Sequence, residues 1–484
     1  MSLKPYPEYK ASGLLWLGEI PAHWDAVRLK QVAQVGPSKS EARRFLEANT
    51  PVAFLPMERV GIDGRVTATE MRPISEVWNG FTYFRRSDVL IAKITPCFEN
   101  GKGACLATLP TDVGFGSTEF IVLRAGPSLM PEFLYRVSTL SEFRSLGADA
   151  MTGAAGQQRV PPDFVKGFVC GLPPLEDQAA IARFLTHADH RINRLIRAKR
   201  RLIELLTEQK QAIIHRAVTR GLDPNVRFKP SGIDWLGDVP EHWEVAPLRR
   251  FATKRCDGPF GSGLKSMHYT PQGIRVIRLQ NIGHSEFRER DAAYISPEHY
   301  ASLGDHDVIQ GDLLIAGLGD ERIPAGRACV APGNIEPAMV KADCFRFRLN
   351  TGRAEPQFVA FQLSATAVNA SAILSTGATR QRINLQTTAG RAIAIPPIHE
   401  QQEIVAHVTS SLRPLEKAIA QANREIDLLR EYRTRLIADV VTGKLDVRGV
   451  GLPALDEADT LDDRDTGEDA EVDEMNDSEE ATDA

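Results

Sequence analysis

One segment of this sequence has the composition of a phosphate-binding loop, and one pair of histidines has a spacing that a metal ion could use. Residues 258–266 read GPFGSGLKS, but Leu264 separates glycine from Lys265, whereas the phosphate-loop pattern needs the two to be adjacent. His187 and His190 lie in a highly charged stretch, where a solvated helix face is a better interpretation than a metal site. No glycine fingerprint for a dinucleotide or methyl donor occurs, nor an Asn-Pro-Pro-Tyr type motif for base methylation. Nucleotide binding is therefore not predicted.

Carboxylates near two apolar segments could imitate the metal cluster of a nuclease. Asp88 and Glu119 with Lys93 form one such set, and Asp312 with Glu321 forms the other. Both aspartates open an apolar run, DVLIA or DLLIA, and Asp is favoured at turns and strand starts, so a structural role is the preferred interpretation. The sequence thus offers no catalytic set. It predicts a binding or assembly protein with no metal or cofactor of its own.

The loops after these apolar runs carry side chains that suit nucleic acid. Glutamate can accept a hydrogen bond from cytosine, asparagine can pair with adenine, and lysine can contact guanine or phosphate. Two further loops, residues 153–159 (GAAGQQR) and 377–382 (GATRQR), could hold phosphate through backbone amides and arginine. A solvated loop position is the alternative for each single residue. The candidate DNA-binding residues are Lys93, Thr95, Glu99, Asn100, Lys102, Gln157, Arg159, Ser262, Lys265, Ser266, Gln280, Asn281, Arg322, Arg380 and Arg382.

The elements that position these loops occur twice. GLLWLGEIPAHW at residues 13–24 returns as GIDWLGDVPEHW at 232–243, with seven of twelve positions identical. PPLEDQAAI at 173–181 returns as PPIHEQQEI at 396–404. The offset is 219 residues for the first pair and 223 for the second, whereas solenoid repeats run about 20 to 50 residues. The chain therefore consists of two homologous halves whose middles have diverged.

The two halves are cyclically displaced. The helix-rich segment of the first half is followed by a tryptophan segment, whereas no third tryptophan segment follows the second half, and its counterpart opens the chain. Two equivalent halves can close only if the N-terminus packs near the end of the last helix. We therefore predict a pseudo-two-fold, effectively circular arrangement.

Each half contains one segment with the heptad pattern of a long helix. Apolar residues recur at three-four spacing across residues 176–219 and again across 405–440. In the first segment the predicted seam consists of Ile181, Leu185, Ala188, Ile192, Leu195, Leu202, Leu206 and Ile213. Because an interior proline costs about 3 kcal/mol, we predict that the second helix restarts at Pro414, with an equivalent break near Asp189 as an N-cap. Each copy then has a short helix and a helix of about 28 residues, about 42 Å long. The two long helices are predicted to pair as an antiparallel coiled coil, with ordinary bundle packing as the alternative.

The other segments alternate short β-rich runs with Gly, Pro, Asn and Asp, which predicts mixed domains of an α+β fold. The predicted organisation has an N-terminal segment that completes the second half, a first globular domain, a central helical spacer, a second globular domain, a C-terminal helical spacer and an acidic tail. In that order the ranges are residues 1–24, 25–172, 173–243, 244–395, 396–450 and 451–484.

Charge and cysteine content restrict the partner and the compartment. The net charge of the 484 residues is −5, but residues 456–484 hold 15 acidic residues against Arg464, so the rest of the chain is mildly basic at +9. That balance permits a nucleic-acid partner, and the acidic stretch is predicted to be disordered.

The six cysteines lack paired C-x-x-C spacing, which is typical of buried, reduced thiols. Without a signal peptide or a stretch of 18 apolar residues, a cytoplasmic protein with no membrane partner is expected.

Together these motifs resemble the DNA-specificity subunit of type I restriction-modification enzymes. The resemblance rests on SGLLWLGEIPAHW and SGIDWLGDVPEHW, on PPLEDQAAIARFL, on the helix ends AVTRGLDPN and VVTGKLD, and on the loops KITPCFENGKGA and GPFGSGLKS. It covers residues 5 to about 448 and leaves the acidic tail unmatched. In that family two target recognition domains each read one half of a bipartite DNA sequence, and two long helices separate them as a ruler.

The resemblance implies a noncatalytic chain with several partners. Residues 25–172 and 244–395 would be the two target recognition domains for double-stranded DNA, and their divergence implies an asymmetric target. Two methyltransferase subunits would bind S-adenosylmethionine and methylate adenine, and two motor-nuclease subunits would use ATP and magnesium. The alternatives are a self-contained DNA nuclease or methyltransferase, and a scaffold without DNA reading.

Overall fold

A computed structural model describes residues 3–67, 70–154, 156–335, 337–375 and 381–453 of the chain. The chain divides into two units, one formed by Met1–Lys199 with Arg424–Asp483 and the other by Arg200–Asn423. The division falls within both long helices, so each unit contains part of each. Beyond residue 453 the predicted acidic tail lies outside the described residues.

The first unit consists of short strands and helices in mixed order, together with part of each long helix. Its strands are β1 (Tyr9–Ala11), β2 (Glu19–Pro21), β3 (Asp25–Arg28), β4 (Ala33–Val35), β5 (Pro51–Leu55), β6 (Glu70–Pro73), β7 (Thr82–Arg85), β8 (Val89–Ala92), β9 (Gly103–Cys105), β10 (Val113–Gly116), β11 (Phe120–Ala125) and β12 (Val169–Leu172). Its helices are α1 (Leu29–Val32), α2 (Arg43–Glu47), α3 (Ile74–Val77), α4 (Pro131–Ser138), α5 (Ser141–Asp149), α6 (Pro162–Gly167) and the first part of α7 (Leu175–Arg220). Two four-stranded sheets have the orders β6-β5-β10-β7 and β4-β11-β8-β9.

The β8 strand is apolar on both faces because it lies between two cores. Val89 and Ile91 pack in a cluster that includes Phe133 of α4, whereas Leu90 packs with Val122 in a second cluster. Successive side chains of a strand point to opposite faces, so a strand between two cores is apolar without interruption. The continuous run VLIA therefore marks the centre of the sheet.

The second unit repeats this plan with a different sequence. Its strands are β13 (Phe228–Pro230), β14 (Asp238–Pro240), β15 (Glu244–Pro247), β16 (Ala252–Cys256), β17 (Tyr269–Thr270), β18 (Ile274–Ile277), β19 (Ala293–Ile295), β20 (Asp307–Val308), β21 (Leu313–Ala316), β22 (Leu318–Gly319), β23 (Ala328–Val330), β24 (Ala338–Val340), β25 (Cys344–Leu349), β26 (Gln381–Arg382) and β27 (Ala392–Ile395). Its helices are α8 (Pro297–Leu303), α9 (Pro356–Ala365), α10 (Ala367–Leu374), α11 (Leu385–Gly390) and most of α12 (Ile398–Val441). The sheet β16-β25-β21-β23 corresponds to β4-β11-β8-β9, and a five-stranded sheet has the order β17-β19-β18-β24-β20.

The duplication predicted from the sequence is confirmed by these matching sheets. In β21, Leu313 and Ile315 pack in one core cluster and Leu314 and Ala316 in another, as the residues of β8 do.

In the described part of the chain, no single helix is long and apolar enough to cross a membrane. The helices α9 and α10, bent by 68° at their junction, reach that length and composition only together.

Both long helices are continuous, which corrects the two predicted breaks. α7 has 46 residues, and α12 has 44 with Pro414 inside it. The proline leaves the carbonyl of Ser410 without its helical partner, but Ser410 is exposed, so water can satisfy it. Leu412 and Leu415, before and after the proline, pack in the same apolar cluster and hold the helix on both sides. Asp189 lies inside α7, where it caps no helix and forms ion pairs with Arg136 and Arg433 of two other helices.

The two long helices pair antiparallel within each unit, as predicted. In the first unit Asp189 Oδ1 of α7 accepts a hydrogen bond from Arg433 Nε of α12 at 2.9 Å. Ten residues further along α7, Lys199 Nζ lies 2.5 Å from Glu425 Oε2. In the second unit a lysine of α7 donates to a glutamate of α12 at 3.0 Å. Residue numbers rise along α7 while those of the partners fall along α12, which is the antiparallel direction.

The seam of α7 differs in part from the predicted register. Ile196 is buried at 8% exposure, whereas the predicted seam residues Leu195 and Leu202 are 49% and 41% exposed. An α-helix drifts by about 20° per heptad relative to a strict seven-residue repeat, so the buried stripe moves to a neighbouring residue. The earlier seam positions are buried as predicted, among them Ile181, Leu185 and Ile192.

A buried glutamine attaches the start of each long helix to its sheet domain. Gln178 Nε2 donates to the carbonyls of Ser128 at 2.9 Å and Pro173 at 2.8 Å, and its Oε1 accepts from the backbone N–H of Met130 at 2.7 Å. The equivalent Gln401 makes the same three bonds, with Arg353, Pro396 and Glu355. Both side chains are fully buried, so the duplicated PPLEDQ and PPIHEQ motifs are structural.

The N-terminal segment packs against the end of α12, as the cyclic displacement predicted. The backbone N–H of Asp446 donates to the carbonyl of Lys4 at 2.8 Å, and the hydroxyl of Tyr9 donates to the carbonyl of Gly443 at 3.1 Å. Gly443 has a φ of 79°, and a Cβ at this position would lie 2.4 Å from Cδ of Pro21. Both the backbone conformation and the close approach therefore require glycine here.

Candidate nucleic-acid interface

The aspartates that open the central strands hold arginines of the neighbouring strand. Asp88 accepts hydrogen bonds from Nε and Nη2 of Arg124, both at 2.7 Å, and from the backbone N–H of Arg85 at 2.8 Å. Asp312 accepts from Nε and Nη2 of Arg348 at 2.9 and 2.8 Å and from a backbone N–H three residues earlier at 2.9 Å. The strand-start role predicted for both aspartates is confirmed, so they support the sheet below the loops.

In the first unit an exposed arginine is held by a carboxylate where β8 ends. Arg159 donates from Nε and Nη2 to the two oxygens of Glu119, each at 2.9 Å, while 44% of its side chain is exposed. The hydrogen bonds from Arg159 hold the pKa of Glu119 below its ordinary value. The backbone N–H of Lys93 donates to the carbonyl of Glu119 at 2.8 Å, and Val160 donates to the carbonyl of Lys93 at 2.9 Å. Three chain segments thus meet at this arginine.

The second unit builds the same arrangement where β21 ends. Arg382 donates from Nε and Nη2 to Oδ1 of Asp343 at 3.2 and 3.0 Å, and 52% of its side chain is exposed. The backbone N–H of Gly317 donates to the carbonyl of Asp343 at 2.7 Å, and Ile383 donates to the carbonyl of Gly317 at 2.8 Å. The guanidinium also lies 5.9 Å from the ring centroid of Phe260. The backbone bonds match those of the first unit one for one.

The two arginine–carboxylate pairs occupy equivalent positions of the duplicated fold. Arg159 and Arg382 are 223 residues apart, and Glu119 and Asp343 are 224 apart, which are the offsets of the repeated motifs. Sequence reasoning selected both arginines, but it considered Glu119 only for a metal cluster and missed Asp343; their offset was the available signal. A guanidinium has five N–H donors in a fixed plane, and Arg159 uses two of them on Glu119, which suits an arginine that also contacts a nucleic-acid base or phosphate.

Several predicted residues of the first unit lie beside Arg159. Thr95 exchanges hydrogen bonds with Gln158: its backbone N–H donates to the Gln158 carbonyl at 3.0 Å, and its Oγ1 accepts from the Gln158 backbone N–H at 3.1 Å. Lys93 Nζ donates to the carbonyl of Thr118 at 2.7 Å, next to the carboxylate that holds Arg159. The structure therefore brings together the loop after β8 and the loop that carries Arg159.

The other predicted residues of the first unit differ in exposure. Glu99, Asn100 and Gln157 are exposed. Lys102 is only 8% exposed, and its carbonyl accepts a hydrogen bond from the backbone N–H of Ala92 at 2.9 Å. Such burial favours a supporting position for Lys102 over the predicted contact with DNA.

In the second unit the structure joins two of the predicted loops. Arg322 is exposed in the loop between β22 and β23, and the pairing of β22 with β26 connects this loop to Arg382. Lys265 and Ser266 are exposed in a separate loop. Gln280 is half-buried and donates from Nε2 to an aspartate carboxylate at 3.2 Å. Base or phosphate contact by these residues stays a prediction.

Asn281 has a structural role, in contrast to the predicted base contact. It is completely buried, and its Nδ2 donates to the carbonyls of Arg288 at 3.0 Å and Arg290 at 2.8 Å. Both amide hydrogens are thereby used inside the protein, so this side chain closes its own loop. Of the remaining predictions, Arg380 and the side chain of Ser262 lie outside the part that the structure describes.

The chain is similar to proteins of one kind. The type I restriction enzyme EcoAI specificity subunit of Escherichia coli is 32% identical over an alignment of 391 residues. The match covers 65% of this chain and 64% of that protein, so just under two thirds of the relative is spanned. A putative type I restriction enzyme MjaX specificity subunit of Methanocaldococcus jannaschii is 24% identical over 442 residues, 89% of this chain and 96% of that protein. No protein-family model matches the sequence.

A solved structure shares the fold. It is described as the structural basis of complex assembly and conformational transition of the type I R-M system. One of its chains matches with a TM-score of 0.66 at 17% identity, over 88% of this chain and 99% of that chain. The predicted class of two sheet-rich domains with long, paired helices is therefore confirmed.

Proposed function

We propose, from the confirmed resemblance of this chain to specificity subunits of type I restriction enzymes, that it recognises a bipartite DNA sequence. In this proposal residues 25–172 read one half of the target and residues 244–395 read the other. The observation that carries it is the exposed arginine, held by a carboxylate at the same strand end of each sheet domain. Because the surrounding loops differ between the units, the two halves of the target would differ in sequence.

The geometry of the two pairs suits recognition of a nucleic acid. Arginine has five N–H donors, and Arg159 uses two of them on Glu119 and one on the carbonyl of Gln157 at 3.3 Å. The remaining donors point from a side chain whose rotamer is already fixed, so less conformational entropy is lost on binding. Guanine O6 and N7 or a backbone phosphate are the acceptors that such a guanidinium prefers.

The proposed assembly divides recognition from catalysis. This chain would be the noncatalytic subunit, and two methyltransferase subunits with S-adenosylmethionine would methylate adenine. Two motor-nuclease subunits would use ATP and magnesium to translocate and cleave the DNA. The support is the similarity to type I specificity subunits. We place the complex in the cytoplasm, where it would meet double-stranded DNA.

Selection of bound duplexes from a random library tests this function. The full-length chain is compared with Arg159→Ala and Arg382→Ala at one fixed salt concentration. We expect the wild-type chain to select a bipartite sequence and each variant to weaken a different half. Loss of a bidentate base contact costs about 1–3 kcal/mol at that position, and loss of a phosphate contact lowers the salt slope by about 1.

Arg86→Ala is the matched control for this selection. Arg86 is 48% exposed and lies 3.5 Å from a carboxylate oxygen of Asp112, much as Arg159 is paired, but it precedes β8 rather than following it. This variant should select the wild-type sequence. A wild-type chain that selects no sequence, or variants that weaken both halves equally, would contradict the proposal.

A further inference from the structure

A buried arginine lies below the predicted reading loops of the second unit. Arg327 is 5% exposed, and its five hydrogen bonds all go to backbone carbonyls. Within the part of the chain that the structure describes, none of its bonds goes to a carboxylate. Burial lowers its pKa to about 10, so the side chain is charged at neutral pH. Burying a cation is unfavourable unless its N–H donors form hydrogen bonds. The fold must therefore keep these carbonyls within hydrogen-bonding distance of Arg327.

The carbonyls belong to two different loops. Nε and Nη2 of Arg327 donate to Ile282 at 2.8 Å and Leu279 at 3.1 Å, on both sides of the predicted reader Gln280. Nη1 donates to Leu318 at 3.0 Å and also to Ile323 and Pro324, in the loop that carries Arg322. One planar side chain thus ties together the loop of Gln280 and the loop of Arg322, which β22 joins to Arg382.

The first unit has a cation at the equivalent place. The carbonyl of Arg327 accepts from the backbone N–H of Ala316 at 3.0 Å, and the carbonyl of Lys102 accepts from Ala92 at 2.9 Å. Ala92 and Ala316 are 224 residues apart, the offset of the duplication. A second buried arginine, Arg144, donates to loop carbonyls of the first unit at 2.7 and 3.3 Å. Buried cations below the loops are therefore a shared feature of both units.

We infer that Arg327 is a positioning residue for DNA sequence discrimination: it fixes the two reading loops of the second unit in one geometry without contacting DNA. This inference rests on the proposed function. Base recognition requires donors and acceptors placed within about 0.5 Å, so a loop that shifts loses discrimination before it loses general affinity. Phosphate attraction depends on exposed cations and should not need Arg327.

The test compares base preference and salt dependence in the same full-length chain. Library selection and salt titration are carried out on wild type, Arg327→Met and Arg327→Lys. We expect discrimination in one half of the target to fall about tenfold, the scale of a single base contact, while the other half is unchanged. The slope of log K against log salt should stay at the wild-type value. Lysine keeps the charge, but its single ammonium cannot span both loops, so it should not restore discrimination.

Arg346→Met is the control for the general cost of a buried arginine. Arg346 is 2% exposed in the same unit and donates to Asp307 rather than to the loops. If Arg327→Met does not fold, the conservative lysine variant decides. Full discrimination in Arg327→Lys, a salt slope lowered by about 1, or an equal loss in Arg346→Met would overturn the inference. A wild-type chain that selects no sequence would instead remove the proposed function on which it rests.

Discussion

The two units stabilise the same position of a long helix with different interactions, ion pairs in the first unit and apolar packing in the second. In the first unit Asp189 of α7 is a largely buried acceptor for two arginines, Arg136 of α4 and Arg433 of α12, the latter at 2.9 Å. The equivalent position of the second unit, 223 residues later, is Leu412. Leu412 is 5% exposed and packs in an apolar cluster with Val408. An ion network and an apolar contact thus fill the same place in the duplicated fold.

The difference shows which parts of the fold are fixed and which can vary. Gln178 and Gln401 make identical sets of hydrogen bonds in the two units, so the backbone plan is the same. The side chains packed on that plan have diverged. A buried ion network is stable only while all its partners are present, whereas an apolar contact depends on filled volume. The two units should therefore respond differently to matched substitutions.

The largest effect is expected for Asp189→Leu, which copies the second unit into the first. The substitution leaves Arg136 and Arg433 without their anion, and removing one partner of a buried ion pair costs about 3–5 kcal/mol. Amide hydrogen exchange of α4 and the first part of α7 measures the loss in the full chain. Adding Arg136→Met and Arg433→Leu to this variant should recover most of the lost stability. A single variant as stable as wild type would break the comparison.

A smaller effect is expected for Leu412→Ala in the second unit. Truncating a buried leucine removes apolar contact and leaves a cavity, which costs about 2–4 kcal/mol. The same exchange measurement, read in the second unit, checks it, and the loss should not change with salt concentration. Leu205→Ala is the control, because Leu205 lies on α7 in the same unit but is 46% exposed. A loss that varies with salt, or one as small as in the control, would show that the contact is not apolar packing.

The smallest effect concerns the ion pair on the surface of the first unit. The pKa of Glu119 is lowered by its hydrogen bonds from Arg159, so the pair stabilises the fold above the unfolded pKa, about 4.3, and this contribution is lost as pH falls through the folded value. Because the pair is largely exposed to solvent, which screens the interaction, the contribution is small. Thermal unfolding of wild type and Glu119→Gln should differ at pH 7 and converge at low pH. Glu99→Gln, at an exposed position, should show no such convergence.

The sequence predicted the parts of the fold that repeat. The motifs DVLIA and DLLIA located the two central strands, PPLEDQ and PPIHEQ located the starts of the long helices, and AVTRGLD and VVTGKLD located their ends. The predicted break of the second long helix was wrong, because tertiary packing outweighs the local preference of proline. The cost of Pro414 inside α12 is offset by the packing of Leu412 and Leu415 in one apolar cluster, which no local pattern reveals.

The candidate site was harder to predict because exposure in a loop depends on tertiary contacts. Asn281 and Arg322 are both polar loop residues, yet one is completely buried and the other exposed. Arg327 was not selected from the sequence, because an arginine beside an apolar run is ordinarily interpreted as a solvent-exposed residue at the end of a strand. Its equivalence to Lys102 appears only when the strand registers are known.

The central claim, that this chain decides which DNA sequence is recognised, is tested most directly by mapping methylated adenines across the genome with and without the chain. We expect methylation in a motif of two unequal halves that disappears when the chain is removed. Reintroducing the Arg382→Ala chain should alter base preference in one half of the motif and leave the other half intact. A motif that persists without the chain, or that changes in both halves at once, would contradict the account.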